Sequence, residues 1–227
     1  MNTKSNPSSI SIAWLVPASL IVFSALPLIF GALRLNELIT GAAITPANAR
    51  FFASPLPVVV HIVSSAVFAM LGAFQFVTGD RRRSLGWHRA AGWVSVISGL
   101  LVGLTGLWMT LFYARAANSG DLLFALRLVF GSGMIVSIGL GLTTILRRDV
   151  LGHRAWMIRA YAIGLGAATQ VLTGMAESLL VSQRDALSNG LFMGAAWVIN
   201  LAVAEWAIRR RTAHRAHAGS AVPAPSK

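Results

Sequence analysis

Apolar residues along this chain collect into runs of roughly 18–25, the length at which a helix rising about 1.5 Å per residue crosses about 30 Å of hydrocarbon. Short polar segments separate the runs. The pattern predicts six transmembrane helices at about 10–33, 56–78, 91–114, 122–146, 154–180 and 190–208. The expected fold is therefore an all-α polytopic membrane bundle forming one domain over residues 1–208. Residues 1–9 read as a polar lead. The first run contains Pro17 and Pro27, so a kink is expected there. A signal peptide does not fit that run, which is too long and has no small-residue cleavage site. Residues 34–55 are the longest expected loop, with the Phe51-Phe52 pair at the membrane interface. From Arg209 onward a tail, basic and then small and Pro-rich, is expected to be disordered (209–227).

Composition agrees with the pattern. The chain is 56% hydrophobic and 11% charged, far more apolar than a soluble domain of its length. Cysteine is absent, which excludes disulfides, thiol catalysis and thiolate-bound metal. The formal charge of +12 sits in short turns between spans. It points to lipid phosphate and membrane orientation and excludes nucleic acid as a partner. The lead, the 79–90 turn, the 147–154 turn and the tail hold thirteen cations: Lys4, Arg81, Arg82, Arg83, Arg89, Arg147, Arg148, Arg154, Arg209, Arg210, Arg211, Arg215 and Lys227. The opposite side holds five: Arg34, Arg50, Arg115, Arg127 and Arg184. Positive charge favours the cytoplasmic side, so both termini are expected there, in the cytoplasmic (inner) membrane of a bacterium.

Two polar turns resemble each other. Skipping Trp87, the segments starting at Arg82 and Arg147 share Arg-Arg-x-x-Leu-Gly-His-Arg-Ala. The match predicts an internal repeat of two hairpins, spans two and three against spans four and five, related by an axis along the membrane normal. Further motifs are Arg50-Phe51 to Pro57, His61-Ile62, Leu71 to Phe76, the His88-Arg89 and Gly92 turn, and His153-Arg-Ala-Trp-Met-Ile-Arg-Ala-Tyr-Ala162. In these, residues 50–175 resemble an uncharacterised bacterial integral-membrane family, domain of unknown function 2306. The resemblance implies a helical membrane protein and names no substrate. After Ala162 the chain has Thr169-Gln170-Val171 where the family leads one to expect an arginine.

An ionisable group within hydrocarbon costs several kcal/mol unless paired or hydrated, which makes each one a functional candidate. His61 and Glu177 are expected at similar depth near the outer face, in one cavity, where they would relay a proton or bind a cation. The bland alternative is a backbone hydrogen bond for His61 and headgroup contact for Glu177. Near the inner face lie Gln75, His88, His153, Arg159 and Glu205. Depth alone pairs Arg159 with Glu205 across adjacent antiparallel spans, a partnership more often architectural than catalytic. Asn200 is expected to make an interhelical hydrogen bond.

Three readings of function follow. The first is small-ligand or proton-coupled transport through two polar half-channels. The second is electron transfer by one b-type haem with His88 and His153 as axial ligands and Arg89 and Arg154 at its propionates. The same His-Arg pairs beside Trp87, Trp93 and Trp156 also suit plain interfacial anchoring. The third is a structural or interaction role. No motif names a reaction.

Overall fold

The computed structural model describes residues 7–75 and 85–220, with side chains placed for 14–75 and 86–210. The lead before Pro7, Arg81, Arg82 and Arg83 of the first arginine turn, and residues 221–227 lie outside the described residues. Within them there are eight helices and no strand: α1 (Pro7–Thr40), α2 (Ala49–Ala53), α3 (Pro55–Phe74), α4 (Leu85–Phe112), α5 (Asp121–Leu146), α6 (Val150–Gly164), α7 (Gly166–Leu180) and α8 (Ala186–Ser220). Five stretches are long and apolar enough to cross a membrane: Trp14–Thr40, Pro55–Phe74, Gly86–Phe112, Asp121–Leu146 and Ala186–Arg210.

Three boundaries differ from those expected. Helix α1 runs on to Thr40 instead of stopping at residue 33. An Arg34–Glu37 ion pair three residues apart and a Thr40 Oγ1 hydrogen bond to the Asn36 carbonyl (2.8 Å) hold its last turns. Helix α8 continues past Arg209, where the sequence reading places a disordered tail, as far as Ser220. The third difference matters most. The single span expected at 154–180 is two helices of 15 residues, α6 and α7. At about 1.5 Å per residue each reaches only about 22 Å, short of a full crossing. Helix α6 also starts early, at Val150, because Asp149 caps it by accepting a hydrogen bond from the Gly152 amide (2.8 Å).

The break has an identifiable cause. A Cβ on Gly164 would lie 2.8 Å from Cε1 of Phe68, and one on Gly166 would collide with Nε1 of Trp197. Rings from α3 and α8 thus occupy the space on either side of Leu165, which only glycine leaves free. Where α6 stops, the Ala162 carbonyl takes a hydrogen bond from Asn200 Nδ2 (3.1 Å). The other side of the same amide, Oδ1, accepts from Thr169 Oγ1 of α7 (2.8 Å). One side chain of α8 therefore re-satisfies the break on both sides, as a backbone inside a bilayer requires.

Around α6 the other long helices and α7 close a ring, with neighbours α1, α3, α4, α5, α8 and α7 in order and α7 back against α1. Helix α6 lies inside, touching α3, α4, α5 and α8. It supplies Ala160, Tyr161 and Ile163 to a buried cluster completed by Phe68, Ala73, Val96, Met134 and Ile138. Close approach makes the cluster possible. The Tyr161 ring lies directly on Gly72, and a Cβ on Gly99 would sit 2.8 Å from both Phe68 and Ile138.

Candidate functional site

On one side of this cluster the bundle is not filled. A cavity of about 460 Å³ runs from the Ala114–Ser119 turn, at the face that carries α2 and the start of α5, down to Tyr161 and Met134. We call that face the mouth face and the opposite one the tail face. Every helix contributes to the cavity, and the broken span forms its floor through Tyr161, Gly164, Ala168 and Gln170. The deep walls are aromatic and apolar: Phe68, Phe130, Met134 and Trp197. Phe130 and Trp197 stack with ring centroids 4.7 Å apart.

Polar groups enter from three helices and the mouth. His61 of α3 lies against Gly106 of α4. Its Nδ1 is 3.0 Å from Thr105 Oγ1. That hydroxyl already donates to the Leu101 carbonyl (2.5 Å), so Nδ1–H donates to the hydroxyl and Nε2 keeps its lone pair. The ring also hydrogen-bonds with the Val102 backbone. Gln170 lines the floor and donates from Nε2 to the Met193 carbonyl (3.3 Å). At the mouth, Arg34 and Arg50 both stand over the Phe51 ring, 4.6 and 4.7 Å from its centroid. Phe51 meets Tyr113 edge-on at 5.5 Å, and the Tyr113 hydroxyl donates to the Ser54 carbonyl (2.6 Å). Burial raises the Tyr113 hydroxyl above the ordinary tyrosine value. Burial, with the Arg34 charge second, holds Arg50 below the ordinary arginine value.

The carboxylates of this face are engaged elsewhere. Glu37 pairs with Arg34 and Asp121 with Arg115 (2.6 Å). Asp185 accepts from the Ser188 amide (2.7 Å), and those hydrogen bonds hold its carboxyl below the usual range. Arg50 and Arg127 both line the cavity and have no carboxylate partner among the described residues. Arg127 forms no hydrogen bond or ion pair with any described residue, and the charge acting on it is the like charge of Arg50.

The expected site residues separate into groups. His61 lines the cavity and Glu177 does not, so the shared outer cavity expected for them does not form. Glu177 is buried at the end of α7, where Ser188 Oγ donates to its Oε1 (2.8 Å) across the α7–α8 turn. Arg159 and Glu205 do meet, in a forked pair with Nε–Oε1 at 2.5 Å and Nη2–Oε2 at 3.1 Å, and Arg159 also stands over Trp156. Gln75 closes the end of α3, its amide within 3.2 Å of the Leu71 carbonyl. His88 and Arg89 are exposed on the first turn of α4. His153 donates from Nδ1 to the Gly141 carbonyl (2.7 Å), and Arg154 beside it is half-buried. Neither His88 nor His153 lines the cavity.

Sequence reading missed Arg127. It counts that residue among the flanking charges, yet Arg127 lies six residues inside α5, about 9 Å along the axis. An arginine that far into an apolar run was the available signal. Arg50, Tyr113 and Gln170 gave no comparable signal, since only the packing of α2 and α7 brings them to the cavity.

No curated protein and no solved structure matches the chain. The model of one family, described as a predicted membrane protein, matches residues 58–208 and so spans α3 to α8 and most of the cavity wall. The all-helical bundle, its membrane-crossing helices and this match agree, and the chain belongs to the family designated domain of unknown function 2306.

Proposed function

We propose that this protein binds a small ligand within the membrane, in the cavity beside the broken span, and takes it up from the outer face. The observation carrying this reading is the cavity itself. Its volume of about 460 Å³ falls in the range of roughly 300–1,000 Å³ typical of small-molecule sites, with the usual mix of apolar walls and a few convergent polar groups. Interrupted helices in membrane proteins border substrate sites for the same reason, since unwound backbone is tolerated only beside a cavity or packed protein.

The accompanying topology is six crossings, with α6 and α7 counted as one, both termini in the cytoplasm of a bacterial cell and the mouth outward. The excess of arginine at the tail face supports it. The α3–α4 and α5–α6 hairpins are the two halves of the proposed repeat. Transport is the finer form of the reading. His61 Nε2 would take a proton in the outer half, and Gln75, His88, His153, Arg159 and Glu205 would line an inner half. The buried cluster around Tyr161 separates those halves, so passage requires it to open. The break at Leu165 is where opening disrupts the fewest backbone hydrogen bonds.

The absence of cysteine makes the test clean. Single cysteines at Ser119 and Ser65, both lining the cavity, should react in intact cells with a membrane-impermeant thiol reagent. Ser119→Cys should react faster than Ser65→Cys, and both should be protected by a ligand. Reaction only in inverted membranes would reverse the orientation. A Ser65→Cys protein that stays unlabelled from both sides, when unfolded controls do react, would refute the open cavity.

A further inference from the structure

Arg50 and Arg127 define what the cavity accepts. Arg127 is exposed and Arg50 half-buried where they line the cavity. A guanidinium as far along a membrane-crossing helix as Arg127 needs a counter-charge or retained water, since no deprotonation relieves it at physiological pH. Arg115 and Arg159 have carboxylates for this purpose. Arg127 has none among the described residues, and Arg50 has only the Ala114 carbonyl (3.2 Å) and the Phe51 ring. Both arginines line one cavity, the Arg50 charge acts on Arg127, and an anion bound between like charges stabilises them. Beyond them the cavity continues to Phe68, Phe130, Met134 and Trp197, surfaces that offer an anion nothing. Charge at one end and an apolar wall at the other match an amphipathic ligand.

We propose that Arg50 and Arg127 bind the oxyanion head, carboxylate or phosphate, of a single-chain amphiphile whose apolar body lies against Phe130, Met134 and Trp197. This rests on the ligand-binding reading given above. Size limits the body. A volume of about 460 Å³ is that of a small-molecule site, a scale that suits one hydrocarbon chain. Arginine suits the head because its planar donors match two oxygens at once. Tyr113 and Thr110 line the same cavity, but their hydroxyls already donate to the Ser54 and Gly106 carbonyls, which leaves the guanidiniums as the donors for the head.

The test uses the full chain in an uncharged detergent, with native mass spectrometry reading the bound probe. The probes are dodecanoate, dodecyl phosphate, dodecanol and phosphatidylglycerol. Both single-chain anions should bind once per chain, about ten-fold tighter than dodecanol. Arg127→Gln and Arg50→Gln should each remove about ten-fold of that preference, and Arg127→Lys should restore part of it, which a purely structural arginine would not do. Ser65→Phe should weaken all single-chain probes alike by filling the cavity. Equal binding of dodecanol and dodecanoate, unchanged in Arg127→Gln but lost in Ser65→Phe, would overturn the anion assignment and leave the ligand cavity standing. Binding of phosphatidylglycerol alone would overturn the single-chain assignment. If no probe binds the folded wild type, or Ser65→Phe changes nothing, the proposal fails together with the reading beneath it. The preference for dodecanoate over dodecanol is measured on the wild type, so a variant that does not fold leaves the comparison intact.

Discussion

The two halves of this bundle treat their polar groups in opposite ways. Toward the tail face the ionisable groups between the helices are matched: Arg159 with Glu205, His153 with the Gly141 carbonyl, Asp149 with the start of α6. The buried Ser95 hydroxyl beside the packed cluster is an exception among polar groups, with no hydrogen-bond partner among the described residues. Between them lies a cluster packed closely enough that the Tyr161 ring rests on a glycine, with its hydroxyl donating to the Ala69 carbonyl (2.8 Å). Toward the mouth face Arg50, Arg127 and His61 line a cavity, and neither arginine pairs with a carboxylate of a described residue. The difference separates stability from function. Matched groups in low dielectric hold helices in register, whereas unmatched ones raise the free energy of the empty protein and are retained where a ligand completes them.

The comparison predicts a graded set of effects on stability, each read as thermal melting of the detergent-solubilised protein. The largest belongs to Gly72→Leu, which places a side chain where the Tyr161 ring lies. Overpacking of this kind costs about 3 kcal/mol, and the folded yield should fall with the melting temperature. A wild-type melting curve would show that the tail-side cluster is not what holds the bundle. Next comes Glu205→Leu, which strands the Arg159 guanidinium. Breaking a fully buried pair costs about 3–5 kcal/mol, and the partial exposure of both groups reduces this to about 1–3 kcal/mol. The double variant Arg159→Leu with Glu205→Leu should recover part of the loss, and failure to recover would mean that the pair acts through Trp156 packing instead.

A smaller loss, about 1 kcal/mol, is expected from Asn200→Leu, which removes both hydrogen bonds across the break. Thr169→Val should lose less, because the Ala162 carbonyl keeps its partner. The smallest effect belongs to the mouth side. Arg127→Gln and Ser65→Phe should shift stability by no more than about 0.5 kcal/mol while altering ligand retention. A loss in Arg127→Gln as large as that in Glu205→Leu would erase the contrast and make Arg127 a structural residue.

Much of this was legible in the amino-acid order. Hydropathy reports transfer of a segment into lipid, which is a sum over that segment alone, so the apolar runs, the membrane class and the family motifs needed no coordinates. The pairing of Arg159 with Glu205 was legible too, because axial rise fixes depth and antiparallel neighbours bring equal depths together. Whether a run stays continuous is not such a sum. Residues 154–180 are apolar enough to cross in one helix, yet they divide at Leu165, where Phe68 from α3 and Trp197 from α8 press on Gly164 and Gly166 and Asn200 takes up the freed carbonyl. Those partners lie far away in sequence and act only once packed. The same holds for the cavity. Sequence placed His61 and Glu177 at one depth, but depth leaves the angle around the bundle undetermined, and packing turned Glu177 to Ser188 and His61 to the interior. The sequence alone thus determined which segments are apolar enough for a membrane and the approximate depth of most charges along them. Tertiary structure decided which charges find partners, because that depends on which helix faces point at one another.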